Sequence, residues 1–336
     1  MIKYLGSKRV LLPAILDAVG TIGGVQTVLD LFSGTARVGH ALKGAGYRVI
    51  ANDLLAYAHV LARCYVEADA EEVLTDATKA IDELNHVAPC AGWFTELYCH
   101  RSRYFHPDNG ARIEAVRNTI AAMHVRQSLE AVLLAALLEA ADRVDSTVGV
   151  QMAYLKKWAP RALKPLALRV PAVLPRAAAG PGRALQLDAS AAASIEADVA
   201  YIDPPYNQHS YLGNYHVWET LVRWDQPEVF GIACKRIDCR QRRSSFNSKV
   251  GCRGALEDVF RRIRAPAMVV SFSNEGFVAR EEMETMLAAH GTVEVIERTH
   301  PRYVGARIGI YNPRGEKVGR IGRLRNEEYL FVVRRR

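Results

Sequence analysis

Short apolar runs and helical patterns alternate along the first part of the chain. The runs at 27–32 and 47–51 are bounded by polar residues or glycine, as buried strands are, and 38–44 between them has a helical pattern. A strand, helix and strand in this order are typical of a parallel sheet. Further strand patterns follow at 184–187, 199–202, 268–272, 293–298 and 329–333. The pattern predicts an α/β fold.

The stretch between the second and third predicted strands has a different pattern. Helical periodicity runs through 54–87 and 111–145, separated by an aromatic and polar loop at 93–109. A proline-rich tract at 171–181 marks a boundary, after which the strand patterns return. We therefore predict a sheet domain formed by residues 1–53 and 184–336, interrupted by a mainly helical insertion, 54–183.

The most distinctive polar group follows the strand pattern at 199–202 and consists of Asp203, Pro204, Pro205 and Tyr206. Each proline fixes its own φ, and Pro205 also restricts Pro204, so the carboxylate and carbonyl oxygens face the same way. Two acceptors beside an aromatic face suit a flat ring that carries an amino group. An ordinary turn after a strand is the alternative.

A second group of candidates follows the first two strands. Gly34 comes after Phe32 and Ser33, where a small residue lets a ligand approach backbone amides and the next helix's N-terminus. Asp53 ends the next strand, a position from which a carboxylate reaches a ribose. Ala36 stands where a dinucleotide loop would have its second glycine. The loop suits the adenosine of either NAD or S-adenosylmethionine.

Two further positions are candidates for the same crevice. Asp188 ends the strand at 184–187 and would reach an adenine amino group, although a turn residue or helix N-cap is equally consistent. Near the amino terminus, Lys8 would meet a carboxylate and Tyr4 would pack on the cofactor. A solvated basic terminus is the alternative for these two.

Composition and charge narrow the classes of partner. The 336 residues are 49% hydrophobic and 24% charged, as in globular proteins. The net charge of +8 is concentrated: 234–264 contains ten Lys or Arg against three Asp or Glu, and 298–336 contains eleven against three. Clustered basic residues favour a polyanion such as nucleic acid, with an arginine-rich solvated surface as the alternative.

Other signals speak against a membrane, secretion or a metal. The apolar run at 131–138 is too short to cross a bilayer, and the amino terminus lacks the apolar region of a signal peptide. The six cysteines form no C-x-x-C pair, and the spacing of Cys234 and Cys239 is weak for zinc. We expect a cytoplasmic protein with reduced thiols, no metal and no membrane partner.

The order of these motifs resembles the D12 class of N6-adenine-specific DNA methyltransferases, the Dam-like family. The motif with Lys8 comes first, the loop at 30–34 second, the insertion third and the motif at 203–206 last, as in that family. The tracts at 211–220 and 244–249 resemble the branch that accompanies type IIS restriction systems. The resemblance implies a Rossmann-like methyltransferase sheet whose helical insertion recognises the target.

The resemblance also implies an activity and residue roles. A methyl group would pass from S-adenosylmethionine to N6 of a flipped-out adenine in double-stranded DNA. Asp203 and the Pro204 carbonyl would accept hydrogen bonds from the amino group, and Tyr206 would stack on the base. The cofactor residues would be Asp53 at the ribose, Asp188 at the adenine, Asp30, Phe32, Ser33 and Gly34 alongside, and Tyr4 with Lys8 at the methionine end.

Contacts with DNA are assigned by the same resemblance and by charge. Asn214, Tyr215 and His216 would line the pocket or support its loop, with ordinary helix packing as the alternative. The tract at 235–264, including Arg240 and Lys249, and a hairpin pattern at 303–310 would grip phosphates. The loop at 93–109 would read base edges. A restriction endonuclease would share the site without a stable complex, unless the enzyme is solitary or phage-borne.

Three other functions compete with this one. The same chemistry on cytosine N4, on RNA adenine or on a protein amide would use the same cofactor. A nicotinamide-dependent oxidoreductase explains Gly34 and Asp53 but gives the motif at 203–206 no role. A DNA-binding module on an inactive methyltransferase fold is the alternative without enzymatic activity.

Overall fold

A computed structural model describes residues 1–301 and 325–335, and in these residues seven strands form one sheet in the order β3, β2, β1, β4, β7, β9, β8. Strands β3 to β7 in this order run parallel, whereas β9 is antiparallel to both its neighbours. The strands of this sheet and of a small hairpin, β5 with β6, are β1 Thr27–Asp30, β2 Arg48–Asn52, β3 Arg183–Leu185, β4 Val199–Ile202, β5 Val229–Phe230, β6 Lys235–Arg236, β7 Ala267–Ser273, β8 Gly291–Pro301 and β9 Arg325–Arg335. The predicted α/β fold is confirmed.

The helices fill the connections between strands. They are α1 Leu12–Gly20, α2 Arg37–Gly44, α3 Ala56–Ala62, α4 Ala70–Asn85, α5 Trp93–Thr95, α6 Pro107–Ala122, α7 Gln127–Val144, α8 Ala189–Ala192, α9 Tyr211–Asn214, α10 His216–Arg223, α11 Asp238–Gln241, α12 Cys252–Arg262 and α13 Arg280–Ala288. Short 3-10 turns lie at Lys8–Val10, Pro160–Leu163 and Ser245–Asn247, and π-helical turns at Arg63–Glu67 and Glu96–Arg101. The two long helical patterns are each interrupted, at 68–69 and at 123–126.

The sheet is buried on both faces, as a sheet with helical crossovers must be. Alternate strand residues therefore enter two different cores. Val28, Val49, Val199 and Val269 pack in the first core. Leu29, Ile50, Ala200 and Met268 pack in the second, with α12 and α13. Helices α3, α4, α6 and α7 of the insertion contribute to the first core, so they share apolar packing with the sheet.

The strand order reverses between β1 and β4, because the chain leaves β1 toward β2 on one side and reaches β4 on the other. In open α/β sheets this reversal opens a crevice outside the carboxyl ends of the two strands. The polar residues that follow β1, β2, β3 and β4 are thereby brought to one edge of the sheet. This is the edge expected to hold the site.

The segment predicted as an aromatic loop at 93–109 is instead largely helical, and that part of the prediction is wrong. It contains α5 and the π-helical turn Glu96–Arg101. The side chains of Phe94, Tyr98, Tyr104 and Phe105 are all buried. The aromatic residues belong to the core of the insertion, whereas His100 and Arg101 stay exposed.

Glu114 of α6 fixes this segment. Its buried carboxylate accepts hydrogen bonds from the backbone amides of Gly92, Phe94 and Thr95 and from the Thr95 hydroxyl. The amides stand at the start of α5, where a helix leaves its first N–H groups without partners. One charged side chain therefore satisfies most of a buried helix start.

We expect Glu114→Gln to lower the free energy of unfolding by about 3 kcal/mol, since a buried amide would oppose donors that now meet a carboxylate. Chemical denaturation of the variant and of Glu83→Gln measures this. Glu83 is exposed, so its substitution is expected to change stability by less than about 0.5 kcal/mol. Equal losses in the two variants would contradict the assigned role of Glu114.

Candidate active site

A cleft of about 580 Å³ opens at the carboxyl ends of β1 to β4. This volume lies within the range of small-molecule and cofactor sites. Among the residues that line it are those expected from the sequence, namely Tyr4, Lys8, Asp30, Phe32, Ser33, Gly34, Asp53, Asp188, Asp203 and Pro205. The fold thus brings together residues from five separate parts of the chain.

The Lys8 ammonium lies between two carboxylates in a buried part of the cleft. Its Nζ lies 3.1 Å from Oδ1 of Asp203 and 3.2 Å from Oε2 of Glu328, which belongs to β9. The Lys8 side chain is 5% exposed, and those of Asp203 and Glu328 are 18% and 7% exposed. Two carboxylates therefore share one ammonium at the end of β4.

Burial and neighbouring charges oppose each other at this contact. Burial raises the pKa of Asp203 to about 6; the Lys8 ammonium pulls it down, and the Glu328 carboxylate pushes it up. Burial alone would lower the pKa of Lys8, but the Asp203 and Glu328 carboxylates outweigh it and hold that pKa well above its usual value. Lys8 is thus charged, whereas Asp203 titrates near pH 6.

Tyr206 and Pro204 are not among the residues that line the cleft; Pro204 is buried and Tyr206 half-buried. The Lys8 ammonium is 5.6 Å from the centre of the Tyr206 ring, and the ring centre of Phe272 is 5.3 Å away on β7. The Tyr206 carbonyl accepts a hydrogen bond of 2.8 Å from the amide of Phe277. These contacts hold the motif rigid, and stacking of Tyr206 on a base stays a prediction.

The loop after β1 is held to the end of β2 by Asp53. Its Oδ2 accepts a hydrogen bond of 2.9 Å from the Gly34 amide, and its Oδ1 accepts one of 3.0 Å from the Leu55 amide. Gly34 has a φ of +53°, and a Cβ there would lie 3.1 Å from the Tyr4 ring. Ala36 also adopts a left-handed conformation, with a φ of 58°, which suits the glycine that the pattern lacks.

Asp30 places a second acidic group under this loop. Its side chain is buried at the end of β1, and burial raises its pKa to about 7. The Asp203 and Asp53 carboxylates add to the rise in pKa, whereas the nearby Ser33 hydroxyl opposes it. The floor of the cleft therefore contains several carboxyl groups that have little contact with solvent.

Tyr4 belongs to a cluster of stacked tyrosines. Its ring centre lies 5.1 Å from that of Tyr211 and 4.7 Å from that of Tyr215, with the planes nearly parallel. Its hydroxyl is 3.1 Å from that of Tyr57. Tyr211 also lines the cleft, a position that the sequence analysis did not single out. The stacking joins the amino-terminal arm to the segment that follows the motif at 203–206.

Asp188 has two features at once. Its carboxylate accepts a hydrogen bond of 2.9 Å from the Ser190 amide and so caps α8, as the turn or N-cap alternative anticipated. It is also exposed at the rim of the cleft. A cap of this kind leaves the second carboxylate oxygen able to accept from a ligand.

The structure corrects the expectation that Asn214, Tyr215 and His216 contact DNA. All three side chains are buried, with exposures of 2%, 1% and 0%. The His216 Nε2 lies 3.1 Å from the carbonyl oxygen of Gln151, and burial lowers the pKa of His216 to about 3. A neutral, enclosed ring offers nothing to a duplex, so these residues support the cleft by packing.

The basic tract at 235–264 is partly used within the protein. Arg236 pairs with Asp225 and Asp238, and Arg253 pairs with Glu257 and Glu282. Arg240 and Lys249 are exposed, as a phosphate contact requires, although the Arg240 guanidinium also lies 3.8 Å from the centre of the Phe230 ring. The hairpin pattern predicted at 303–310 lies outside the described residues.

Segment 242–247, part of the basic tract expected to grip phosphates, also contributes residues to the cleft. Arg242, Phe246 and Asn247 line the cleft, and the Phe246 ring stands edge-on to Phe32 at 5.2 Å between centres. The sequence distinguishes the tract 244–249 only by its resemblance to the family. No periodicity would have placed it against β1, because its position depends on contacts between distant parts of the chain.

Comparison with known proteins gives this arrangement a family. The model of the D12 class N6 adenine-specific DNA methyltransferases matches residues 4–286. The chain belongs to this family. The resemblance recognised from its motifs is thereby confirmed, as is its classification as a site-specific DNA adenine methyltransferase.

Relatives within the family differ in length. The chain is 30% identical over 313 residues to the type II methyltransferase M.NlaIII of Neisseria lactamica, covering 89% of this chain and 92% of that protein. It is 29% identical over 341 residues to M.CviAII of Paramecium bursaria Chlorella virus 1, covering 99% and 98%. With M.FokI of Planomicrobium okeanokoites it is 30% identical over 319 residues, covering 87% of this chain and 47% of the relative. The chain thus spans about half of some relatives and nearly all of others.

The described residues include neither a membrane-spanning helix nor a metal-binding cluster. No helix in residues 1–301 has the length and apolarity needed to span a membrane. Cys234 is buried and Cys239 half-buried, both as free thiols. Within the described part of the chain, no cluster of three or more His, Cys, Asp or Glu side chains is arranged to hold a metal ion.

We expect Gly34→Ala to lower the free energy of unfolding by about 1–2 kcal/mol, because the alanine would have to adopt a left-handed backbone conformation and its Cβ would press on Tyr4. Gly254→Ala is the matched control. Gly254 lies in α12 with open space around it, so alanine there should raise stability by up to about 1 kcal/mol. Thermal and urea unfolding measure the change in stability of both variants. Changes of the same sign would contradict the assigned strain at Gly34.

Proposed function

We propose that this chain transfers a methyl group from S-adenosylmethionine to N6 of an adenine flipped out of double-stranded DNA. The observation that supports this most is the position of Asp203, which shares one cleft with the loop at Gly34 and Asp53. A cofactor site and an amine-accepting carboxylate on neighbouring strand ends suit a transfer between two bound molecules. Family membership supports the choice of adenine and of DNA.

The lining residues fit the proposed cofactor. Because Gly34 has no side chain, a ligand can approach the end of β1. Phe32 and Phe246 offer aromatic surface to an adenine ring. Asp53 would accept from the ribose hydroxyls and Asp188 from the adenine amino group, while Tyr4 would close over the methionine end. When bound, S-adenosylmethionine would supply an activated methyl group on its sulfonium.

The role expected for Lys8 takes a more definite form. The sequence analysis placed it at the methionine end of the cofactor, whereas its ammonium contacts Asp203 and Glu328. Lys8 contacts Oδ1 of Asp203, whereas Oδ2 accepts no hydrogen bond from the described residues. We infer that Lys8 fixes the Asp203 rotamer and leaves Oδ2 to accept from the target amino group.

Positioning would provide most of the catalysis. The lone pair of an aromatic amine is delocalised into its ring, so acceptors that pyramidalise the nitrogen aim the lone pair at the methyl carbon. Asp203 and the Pro204 carbonyl would act in this way, with Asp203 as an orienting acceptor. A base flipped from a duplex loses a few kcal/mol of stacking, which Tyr206 would replace in part.

DNA contacts outside the cleft complete the proposal. Arg240 and Lys249 would bind phosphates and set the register on the duplex. The insertion 54–183 would act as the target-recognition region, where exposed residues such as His100 and Arg101 replace the buried aromatic residues as candidates for base edges. We also propose a cytoplasmic enzyme whose cognate restriction endonuclease acts separately on the same site.

The first test is transfer of labelled methyl from S-adenosylmethionine to unmethylated bacterial DNA, followed by digestion to nucleosides. We expect label in N6-methyladenine, and a fall of at least about 100-fold for Asp203→Ala, since a preorganised acceptor is lost. Asp17→Ala, at an exposed position on α1, is the control. Undiminished transfer by Asp203→Ala, or label in another nucleoside, would overturn the proposal.

The pH dependence follows from the charge on Asp203. Its carboxylate must be ionised to accept strongly, and its pKa is raised to about 6, so kcat/KM for DNA should fall as the pH drops through that value. Because the Glu328 carboxylate contributes to this rise, Glu328→Gln should move the acid limb to lower pH. A limb that stays in place or moves upward would contradict the assignment.

A further inference from the structure

One short segment touches both halves of the cleft. Residues 244–247 line it, and Phe246 packs edge-on against Phe32, which follows β1 in the cofactor half. The next residue, Asn247, turns the other way. Its Nδ2 donates hydrogen bonds to the carbonyl oxygens of Asn207 at 2.7 Å and His209 at 3.1 Å. Both carbonyls belong to the loop that begins directly after Tyr206.

The loop at 207–210 has fixed ends and a middle that Asn247 holds. At one end, the Tyr206 carbonyl accepts from the Phe277 amide at 2.8 Å. At the other end, the Ser210 hydroxyl caps α9, and Tyr211 stacks on Tyr4. Between these anchors, two loop carbonyls meet a single side-chain amide. The shape of this loop therefore depends on Asn247.

Segment 242–247 is itself attached to the protein interior. Arg242 lies 3.5 Å from the buried Glu219 carboxylate of α10, which also accepts from the Tyr57 amide at the start of α3. At the other end, the Ser248 hydroxyl accepts a hydrogen bond of 3.2 Å from the Gly251 amide, just before α12. The segment is thus a bridge between two anchored points, with Phe246 and Asn247 at its centre.

We propose that Asn247 is a positioning residue that couples the cofactor half of the cleft to the pocket for the target adenine. The proposal rests on the function proposed above and deepens it. A cofactor packed against Phe246 would fix the segment, and Asn247 would transmit that position to the loop after Tyr206. The target pocket would reach its working shape when the cofactor is in place.

The chemistry of the contact gives a selective variant. A side-chain amide donates two hydrogens, so one NH2 group satisfies both carbonyls, whereas a carboxylate of the same shape only accepts. Asn247→Asp keeps the volume of the side chain and turns both attractions into repulsions. Asn274→Asp is the matched control, because Asn274 is exposed outside the insertion, uses its Oδ1 to accept from the Glu327 amide, and aspartate keeps that acceptor.

Steady-state methyl transfer to unmethylated bacterial DNA and calorimetric binding of S-adenosylmethionine provide the two readouts. We expect Asn247→Asp to lower kcat/KM for DNA by about 10- to 100-fold, the effect of losing two hydrogen bonds. Cofactor affinity without DNA should change by less than about 3-fold, because the Phe246 contact is kept. Asn274→Asp should match the wild type in both measurements.

Coupling is tested by repeating the cofactor titration with DNA present. In the wild type, DNA should tighten cofactor binding, and in Asn247→Asp this enhancement should shrink toward onefold. Asn247→Ala repeats the test without a new charge and should change each quantity in the same direction. Thermal unfolding verifies that both variants are folded at the assay temperature.

The outcomes separate this inference from the proposed function. If the wild type methylates adenine and the Asn247 variants keep its kcat/KM and its enhancement, the coupling role is wrong while the enzyme assignment stands. Equal losses of kcat/KM and of cofactor affinity would also overturn it, since they would mark a general defect of the cleft. A wild type that methylates no DNA would instead overturn the proposed function.

Discussion

The contact of the Lys8 ammonium with the carboxylates of Asp203 and Glu328 is the constraint on which the site depends. It joins the amino-terminal arm, the end of β4 and strand β9, three parts that are far apart in sequence. Breaking a buried pair by removing one partner leaves an uncompensated charge and costs about 3–5 kcal/mol. The arm must therefore fold over the sheet edge before the cleft exists, and that arm carries Tyr4 into the tyrosine cluster that closes the cleft.

The two halves of the cleft are built in different ways. The cofactor half consists of strand ends, where Asp53 ties the Gly34 loop to β2 and the parallel sheet fixes the spacing between neighbours. The target half consists of the motif at 203–206 and the loop after it, which are held by the backbone amide of Phe277 and the side chain of Asn247. A target pocket whose loop at 207–210 is held by one side chain suits an enzyme that must admit a base from a much larger substrate.

The sequence predicted those features that follow from local chemistry. Strand patterns, the glycine at 34 and the acidic residues at strand ends were located because periodicity and turn chemistry act over a few residues. The aromatic segment at 93–109 and the triplet at 214–216 were misjudged because burial is decided by distant partners, such as Glu114 for the first and Gln151 for the second. Asn247 was passed over for the same reason, since its two acceptors lie some forty residues earlier in the chain.

The charge state of Asp203 depends on buried groups from other parts of the fold. Asp203 has to remain a carboxylate to accept from an amine, yet burial and Glu328 both favour its neutral form. The Lys8 ammonium opposes them, so the charge state of the acceptor depends on the balance between one cation and two buried acids. A lysine with two acidic partners stays charged even in this enclosed position. The second carboxylate thus keeps charged the cation that the first one needs, which gives β9 a direct part in the chemistry at the end of β4.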